Sequence, residues 1–387
     1  MSKLQTPFRY DFVGSFLRPE KLKKARRQFD EGAIDYAALK VVEDECILEL
    51  AAKIKALGYH VITDGEFRRA TWHLDFMWGF DGVGHVPTKT GLPFHGEAAM
   101  VDDTYIIGKI NLSKEHPFVD HFRFVKALED ENTVAKQTMP APAQMLAQFT
   151  MPFNREHTEK VYASDEELAD DIVAVYGKVI DQLYAAGCRN IQLDDCTWGM
   201  FADKIGHILY GTTREGLIEV QKSHKDINNR VIANAPKDMI INTLAIEGKP
   251  EDLVINTHVC RGNFHSTYAS EGAYDSVADI LFGEEHVNAY FLEFDDERSG
   301  GFAPLAKVSG EKKVVLGLIT TKSPVLEDKQ VVISRIHEAA KYVPLDRLYL
   351  SPQCGFASCE IGNKLTEEEQ WAKMRLVKEV AEEVWGR

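Results

Sequence analysis

The sequence predicts an α/β protein, a (β/α)8 TIM barrel, and two observations carry that expectation. First, short apolar segments near residues 10, 61, 134, 191, 255, 290, 315 and 349 alternate with longer stretches whose apolar residues recur at helical spacing. Apolar strands separated by helices indicate a parallel sheet covered by helices. Second, nearly every strand segment ends in a polar or reactive residue: Ser15, Asp64 and Glu66, Thr138, Asp194, Cys260, Glu293, Thr320 and Lys322, and Cys354. A barrel gathers these carboxyl ends around one mouth, whereas a doubly wound open sheet, the alternative, spreads them along a line. The 387 residues are expected as a single domain, 1–387, with residues 70–130 inserted as a loop and hairpin region after strand 2, over the barrel mouth.

Taken in order, 8–15 reads as a strand closing on Val13-Gly14-Ser15-Phe16, and 34–57 as a helix that Gly58 stops. Strand 61–63 leads into Asp64-Gly65-Glu66-Phe67-Arg68-Arg69. Residues 70–130 break the rhythm, being rich in Trp, Phe, Gly and Pro. They include a hairpin segment at 105–110 and a helix at 119–128. The rhythm resumes with strand 133–138 and a helix at 164–186, whose Ser164 and Glu167 have capping-box spacing. Strand 190–193 ends in Asp194-Asp195. Helices at 213–226 and 237–247 precede the strand that ends in Thr257-His258-Val259-Cys260. Helix 274–282, strands 289–293 and 314–319, helix 331–342, strand 348–351 and an amphipathic helix at 366–385 complete the chain.

A net charge of −15 argues against nucleic acid or an anionic membrane as partner, because both select a basic face. No apolar run of about 18 residues occurs, and the N-terminus has no apolar signal core. Cys46, Cys188, Cys196, Cys260, Cys354 and Cys359 lack disulfide-like spacing. A cytoplasmic setting with reduced thiols follows as the expectation. Cys46, Cys188 and Cys359 read as core or incidental residues and Cys196 as a bystander beside the mouth.

Residues i and i+2 of a strand face the same side, so His258 and Cys260 can share one metal ion. Glu293 and Cys354, at the ends of two later strands, extend the set to His, Cys, Glu and Cys, which suits zinc. Ligands this far apart in sequence fit a site assembled inside a formed fold better than the close Cys pairs of structural zinc. Zinc deprotonates a bound thiol and so prepares it as a nucleophile toward an alkyl donor. Glu66 and Asp194 suit an α-ammonium, and Ser15 with its backbone N–H suits an α-carboxylate.

At Val13-Gly14-Ser15-Phe16, Asp64-Gly65-Glu66, Ile191-Gln192-Leu193-Asp194, His258-Val259-Cys260, Glu293 and Cys354 the chain resembles the catalytic barrel of the cobalamin-independent methionine synthases, in a short stand-alone form. The resemblance implies a zinc-dependent S-methyltransferase making methionine from homocysteine and a methyl donor such as 5-methyltetrahydrofolate. It implies His258, Cys260, Glu293 and Cys354 as zinc ligands and Ser15, Glu66 and Asp194 as the homocysteine-binding residues; a homodimer is compatible with it. Two positions depart from the family. Gln148 stands where the family has the Trp that stacks on the pterin, so no residue is assigned to the donor. Lys322 stands in place of the family's proton-donating His and is the catalytic candidate. Two other readings are a thiol alkyltransferase of the epoxyalkane:coenzyme M transferase type, with Arg18, Arg261 or Lys322 on a sulfonate, and a non-enzymatic zinc-binding protein.

Overall fold

A computed structural model describes residues 4–235 and 252–386. The helix expected at 237–247 lies outside the described residues. The strands are β1 (Val61–Ile62), β2 (Asp81–Val86), β3 (Leu92–Phe94), β4 (Glu97–Ala99), β5 (Asp103–Asn111), β6 (Val134–Ala135), β7 (Gln137–Pro140), β8 (Asn190–Asp194), β9 (Val254–Val259), β10 (Ala289–Glu293), β11 (Lys313–Ile319) and β12 (Leu348–Pro352). Strands β7 to β12 form a six-stranded parallel sheet in which chain neighbours are sheet neighbours, and β1 pairs with β6 in a separate parallel ladder. Every residue of β8, β9, β10 and β12 is buried, as the continuous apolar runs of a helix-covered parallel sheet require.

Two strand expectations need correction. The segment at 133–138 is two strands, broken at Lys136, whose N–H turns to the Ile62 carbonyl (2.9 Å). The strand expected at 8–15 is reduced to one parallel bridge, Tyr10 to Leu350, flanked by hydrogen bonds from Asp11 N to Leu350 O and from Leu350 N to Arg9 O (both 3.0 Å). The reason is local. Side chains claim the carbonyls that a ladder would use: Lys136 Nζ donates to Phe12 O, Gln192 Nε2 to Val13 O and Thr63 Oγ1 to Gly14 O.

The helices follow the expected order with shifted ends. Asp35 caps Tyr36–Ala56 by accepting from Ala38 N, and Gly58 follows with φ +85°. Helix Glu20–Asp30 precedes it and was not marked by the sequence; only Leu22 and Ala25 of it are buried. The helix expected at 119–128 is Pro117–Lys126. Ser164 caps Asp165–Ala185, but the reciprocal half of the expected box is not made. The Glu167 carboxylate accepts from Ala163 N and pairs with Lys109 instead. Arg214–Ala233 runs longer than expected, 274–282 divides into Tyr274–Ser276 and Ala278–Glu284, and the next helix is Lys329–Ala339. A full capping box opens the last helix, Glu367–Trp385, between Thr366 and Glu369. Between β1 and β6, β2 pairs with β5 and β3 with β4, both antiparallel. Among the described residues no helix is long and apolar enough to cross a membrane.

Candidate metal centre and substrate pocket

The centre is built at the carboxyl end of β9. In the ladder Asp194 pairs with His258 on one side and Phe291 pairs with His258 on the other. His258 Nδ1 lies 3.1 Å from the Phe291 carbonyl. A carbonyl only accepts, so Nδ1 carries a proton, and Nε2 is the ring nitrogen left to bind a metal once it is unprotonated. That Nε2 is buried with no hydrogen-bond partner among the described residues. A ligand atom of each of His258, Cys260 and Cys354 lies within 4.8 Å of the others, and all three residues are buried. An orphaned imidazole nitrogen facing two thiols in a dry site is costly unless it binds something. One imidazole nitrogen and two thiol sulfurs are a donor set that fits zinc.

The thiols are electrostatically unequal. Hydrogen bonds from Cys196 and then Cys354 push the Cys260 thiol well below its ordinary value despite burial. Sequence reasoning set Cys196 aside, yet its Sγ is 3.0 Å from Cys260 Sγ. Cys196 follows Asp194 by two residues, and Asp194 pairs with His258, which precedes Cys260 by two, a register the sequence does not encode.

Glu293, at the end of β10, lies outside the three-residue cluster. Its carboxylate is buried and held by three donors: Arg261 N to Oε2 (2.8 Å), and Lys322 Nζ and Arg298 Nη2 to Oε1 (3.1 Å each). Lys322 also pairs with Asp295 (3.2 Å). Burial pulls the Lys322 ammonium down, but Glu293 and Asp295 outweigh it and raise its pKa. The cations considered for a sulfonate are occupied. Arg18 is buried among the carbonyls of Phe16, Glu66, Arg69 and Ala357, and Arg261 bonds the carbonyls of Gly272 and Glu293.

Of the expected amino-acid-binding residues, Glu66 and Asp194 lie close enough to interact electrostatically. Glu66 sits at φ +61°, a region that non-glycine residues seldom occupy, and is held there by Asp64 Oδ1 on its N–H (2.8 Å) and Arg18 on its carbonyl (2.7 Å). Its Oε1 accepts from Thr138 Oγ1 (2.9 Å) and pairs with Arg69 (3.2 Å). Its Oε2 is buried with no partner among the described residues. Burial pushes the Asp194 carboxyl up to about 7 against the pull of His258, and Glu66 adds to the rise. The two adjacent aspartates have separate partners: Asp195 accepts from Thr197 N (3.0 Å), the first residue of helix Thr197–Ala202, while Asp194 interacts electrostatically with His258. Ser15 Oγ accepts from Ala357 N (3.3 Å), which leaves its own proton to donate. Gly355 makes room for it, since a Cβ there would lie 1.9 Å from Ser15 Oγ. Gln148 is spent in the wall, where its Nε2 donates to Thr104 O (3.1 Å).

The chain matches the family model described as the cobalamin-independent synthase catalytic domain over residues 10–383. It is 41% identical over 391 residues to the uncharacterized protein YxjG of Bacillus subtilis, covering 100% of this chain and 97% of that one. Among solved structures it is similar to a putative vitamin-B12 independent methionine synthase from Listeria monocytogenes, with 35% identity, a TM-score of 0.74, and coverage of 99% and 100% of the two chains. It is also similar to a B12-independent methionine synthase from a Shewanella species solved with selenomethionine, at 17% identity and a TM-score of 0.69, over 98% of each chain. That last likeness concerns the fold alone.

Proposed function

The chain belongs to the family of cobalamin-independent synthase catalytic domains, and on that premise we propose that it is a zinc-dependent S-methyltransferase that methylates homocysteine to methionine. The observation that carries the proposal is the convergence of His258 Nε2, Cys260 and Cys354 in a buried cluster whose nitrogen has no other partner. Held by these residues, zinc would supply the Lewis acidity that turns a thiol into a thiolate at neutral pH.

The remaining work falls to the chain's own groups. Asp194 and the unpartnered Glu66 Oε2 accept from the substrate ammonium, and Ser15 donates to its carboxylate. Glu293 would be a further residue able to hold the zinc, and Arg261 N, Arg298 and Lys322 hold its carboxylate in place beside the cluster. Lys322 is the catalytic cation. Its raised pKa suits a fixed positive charge beside Glu293 better than proton donation. Selenomethionine, the ligand of the Shewanella structure, is a selenium analogue of the product proposed here.

The same reading takes 1–387 as one closed (β/α)8 barrel. It is supported by the bonds that join Arg9 and Asp11 to Leu350, Phe16 N to Gly65 O (3.1 Å) and Lys136 N to Ile62 O. These link the first segment to β12 and to the segment after β1, and β1 to the β6–β7 break. Residues 70–130 lie over the mouth in this reading. Support comes from His95 N to Tyr268 O (2.8 Å) and from Glu97, which pairs with His265 and Lys364.

The test is to purify the protein, quantify zinc, and titrate L-homocysteine while following proton release. Methionine is then read by mass with 5-methyltetrahydrofolate and other methyl donors. About one proton per zinc and methionine from one donor are expected, because a thiol gives up its proton on coordination. A protein without zinc, or zinc indifferent to thiols, refutes the proposal.

A further inference from the structure

We propose that Lys136 and Gln192 form a buried relay that positions Asp194 to read the ammonium of the substrate. The inference deepens the role given to Asp194 above and rests on it.

The geometry is a chain of side chains running inward from the first segment. Lys136 lies at the break between β6 and β7, and its side chain is 0% exposed. Its ammonium has three hydrogens and no acceptor. They go to Asp11 Oδ1 (3.1 Å), the Phe12 carbonyl and Gln192 Oε1 (3.1 Å). Asp11 is pinned in turn by Phe12 N (2.7 Å) and Phe8 N (3.1 Å). Because Lys136 can only donate, the Gln192 amide must turn its oxygen toward it. The NH2 then points the other way, to Val13 O (2.9 Å) and Asp194 Oδ1 (2.8 Å). Gln192 and Asp194 are i and i+2 on β8, so both face the same side of the strand.

A neutral amide is the device that this position needs. It fixes the plane of the Asp194 carboxylate through one oxygen and leaves the negative charge uncancelled. A cation placed directly against Asp194 would occupy the seat of the substrate ammonium. Lys136 supplies its charge at one remove: it orients the amide and polarises the N–H that reaches Asp194. The other half of the seat is Glu66, whose Oε2 is buried and unpartnered among the described residues. A purely structural Lys136–Asp11 ion pair would not require Gln192 to present its donor to Asp194.

The test compares L-homocysteine with 4-mercaptobutanoate, the same thiol without the amino group, by calorimetric titration of the zinc-loaded protein. Gln192→Glu keeps a partner for Lys136 but replaces the donor that faces Asp194 with a second carboxylate. A hydrogen bond to a charged group is worth about a ten- to hundredfold in affinity. L-Homocysteine affinity is expected to fall by that factor while 4-mercaptobutanoate affinity and zinc content hold. The double variant Asp11→Asn/Lys136→Met, which removes the ion pair as a unit and frees the amide to flip, should show the same selective loss if Gln192→Glu fails to fold. Equal losses for the two thiols, or no loss for either, overturn the relay. If the unaltered protein does not prefer L-homocysteine over 4-mercaptobutanoate, the ammonium-reading role of Asp194 falls, and the relay with it.

Discussion

Replacing Glu285 with glutamine tests the electrostatics of the wall behind the candidate metal centre. Glu285 follows helix Ala278–Glu284 and is 0% exposed. Its Oε1 accepts from Trp198 Nε1 (3.3 Å) and Asn228 Nδ2 (2.9 Å), and Asn228 also donates to Asp195 Oδ2 (3.0 Å). Burial, then the charge of Asp195, pushes the Glu285 carboxyl from 4.5 up to about 8. A pKa raised on folding means that the folded protein holds a proton which the unfolded chain has released. The associated stability is complete below about pH 4.5 and is lost as the pH rises through about 8. At ~1.36 kcal/mol per unit, a shift of about 3.5 units corresponds to at most ~5 kcal/mol. With an unfolding entropy of about 2.1 cal/mol/K per residue, the 387 residues give ~0.8 kcal/mol/K, or ~6 °C in apparent Tm. Glutamine stays neutral, so Glu285→Gln should match the unaltered protein near pH 5 and melt higher by up to ~6 °C near pH 9. Differential scanning calorimetry of the zinc-loaded forms across that range measures the gap. A gap that is independent of pH, or a variant that melts lower at high pH, would show that Glu285 is not held neutral by burial.

Further predictions concern the centre itself. Cys260→Ser or Cys354→Ser should lose zinc on dialysis while keeping most of the fold, because the core of buried apolar residues does not depend on the metal; zinc content and circular dichroism check both halves. Cys196→Ser should retain stoichiometric zinc, since Cys196 is not one of the three clustered residues; loss of metal would make it a ligand. Asp194→Asn should weaken L-homocysteine binding at least about tenfold more than zinc binding, as expected for a charge-assisted contact; equal losses would remove its substrate role. Gly355→Ala drives a methyl against Ser15 Oγ, so it should impair thiol binding with zinc in place, read by the same proton-release titration.

Much of the candidate centre was legible because it depends on local rules. His258 and Cys260 share a face since strand side chains alternate, and both are buried beside Cys354. The order of helices and parallel strands followed from apolar periodicity, with ends displaced where capping groups decide them, as at Asp35 and Thr366. The closeness of Cys196 to Cys260 was not legible because it depends on the register between β8 and β9, which no single segment encodes. The first strand was overestimated for a similar reason, since the side chains of Thr63, Lys136 and Gln192 reach its carbonyls from distant parts of the chain.

By itself the sequence determined the residue types available at each strand end, and hence the donor set of imidazole, thiols and carboxylates. Only the tertiary structure decided how those groups are committed: Glu293 to Arg261, Arg298 and Lys322, Gln192 to Lys136 and Asp194, and His258 Nε2 to no protein partner among the described residues. The physical reason is that a ligand's identity is covalent and local. Its protonation, orientation and freedom to bind depend on hydrogen bonds from residues far away in the chain.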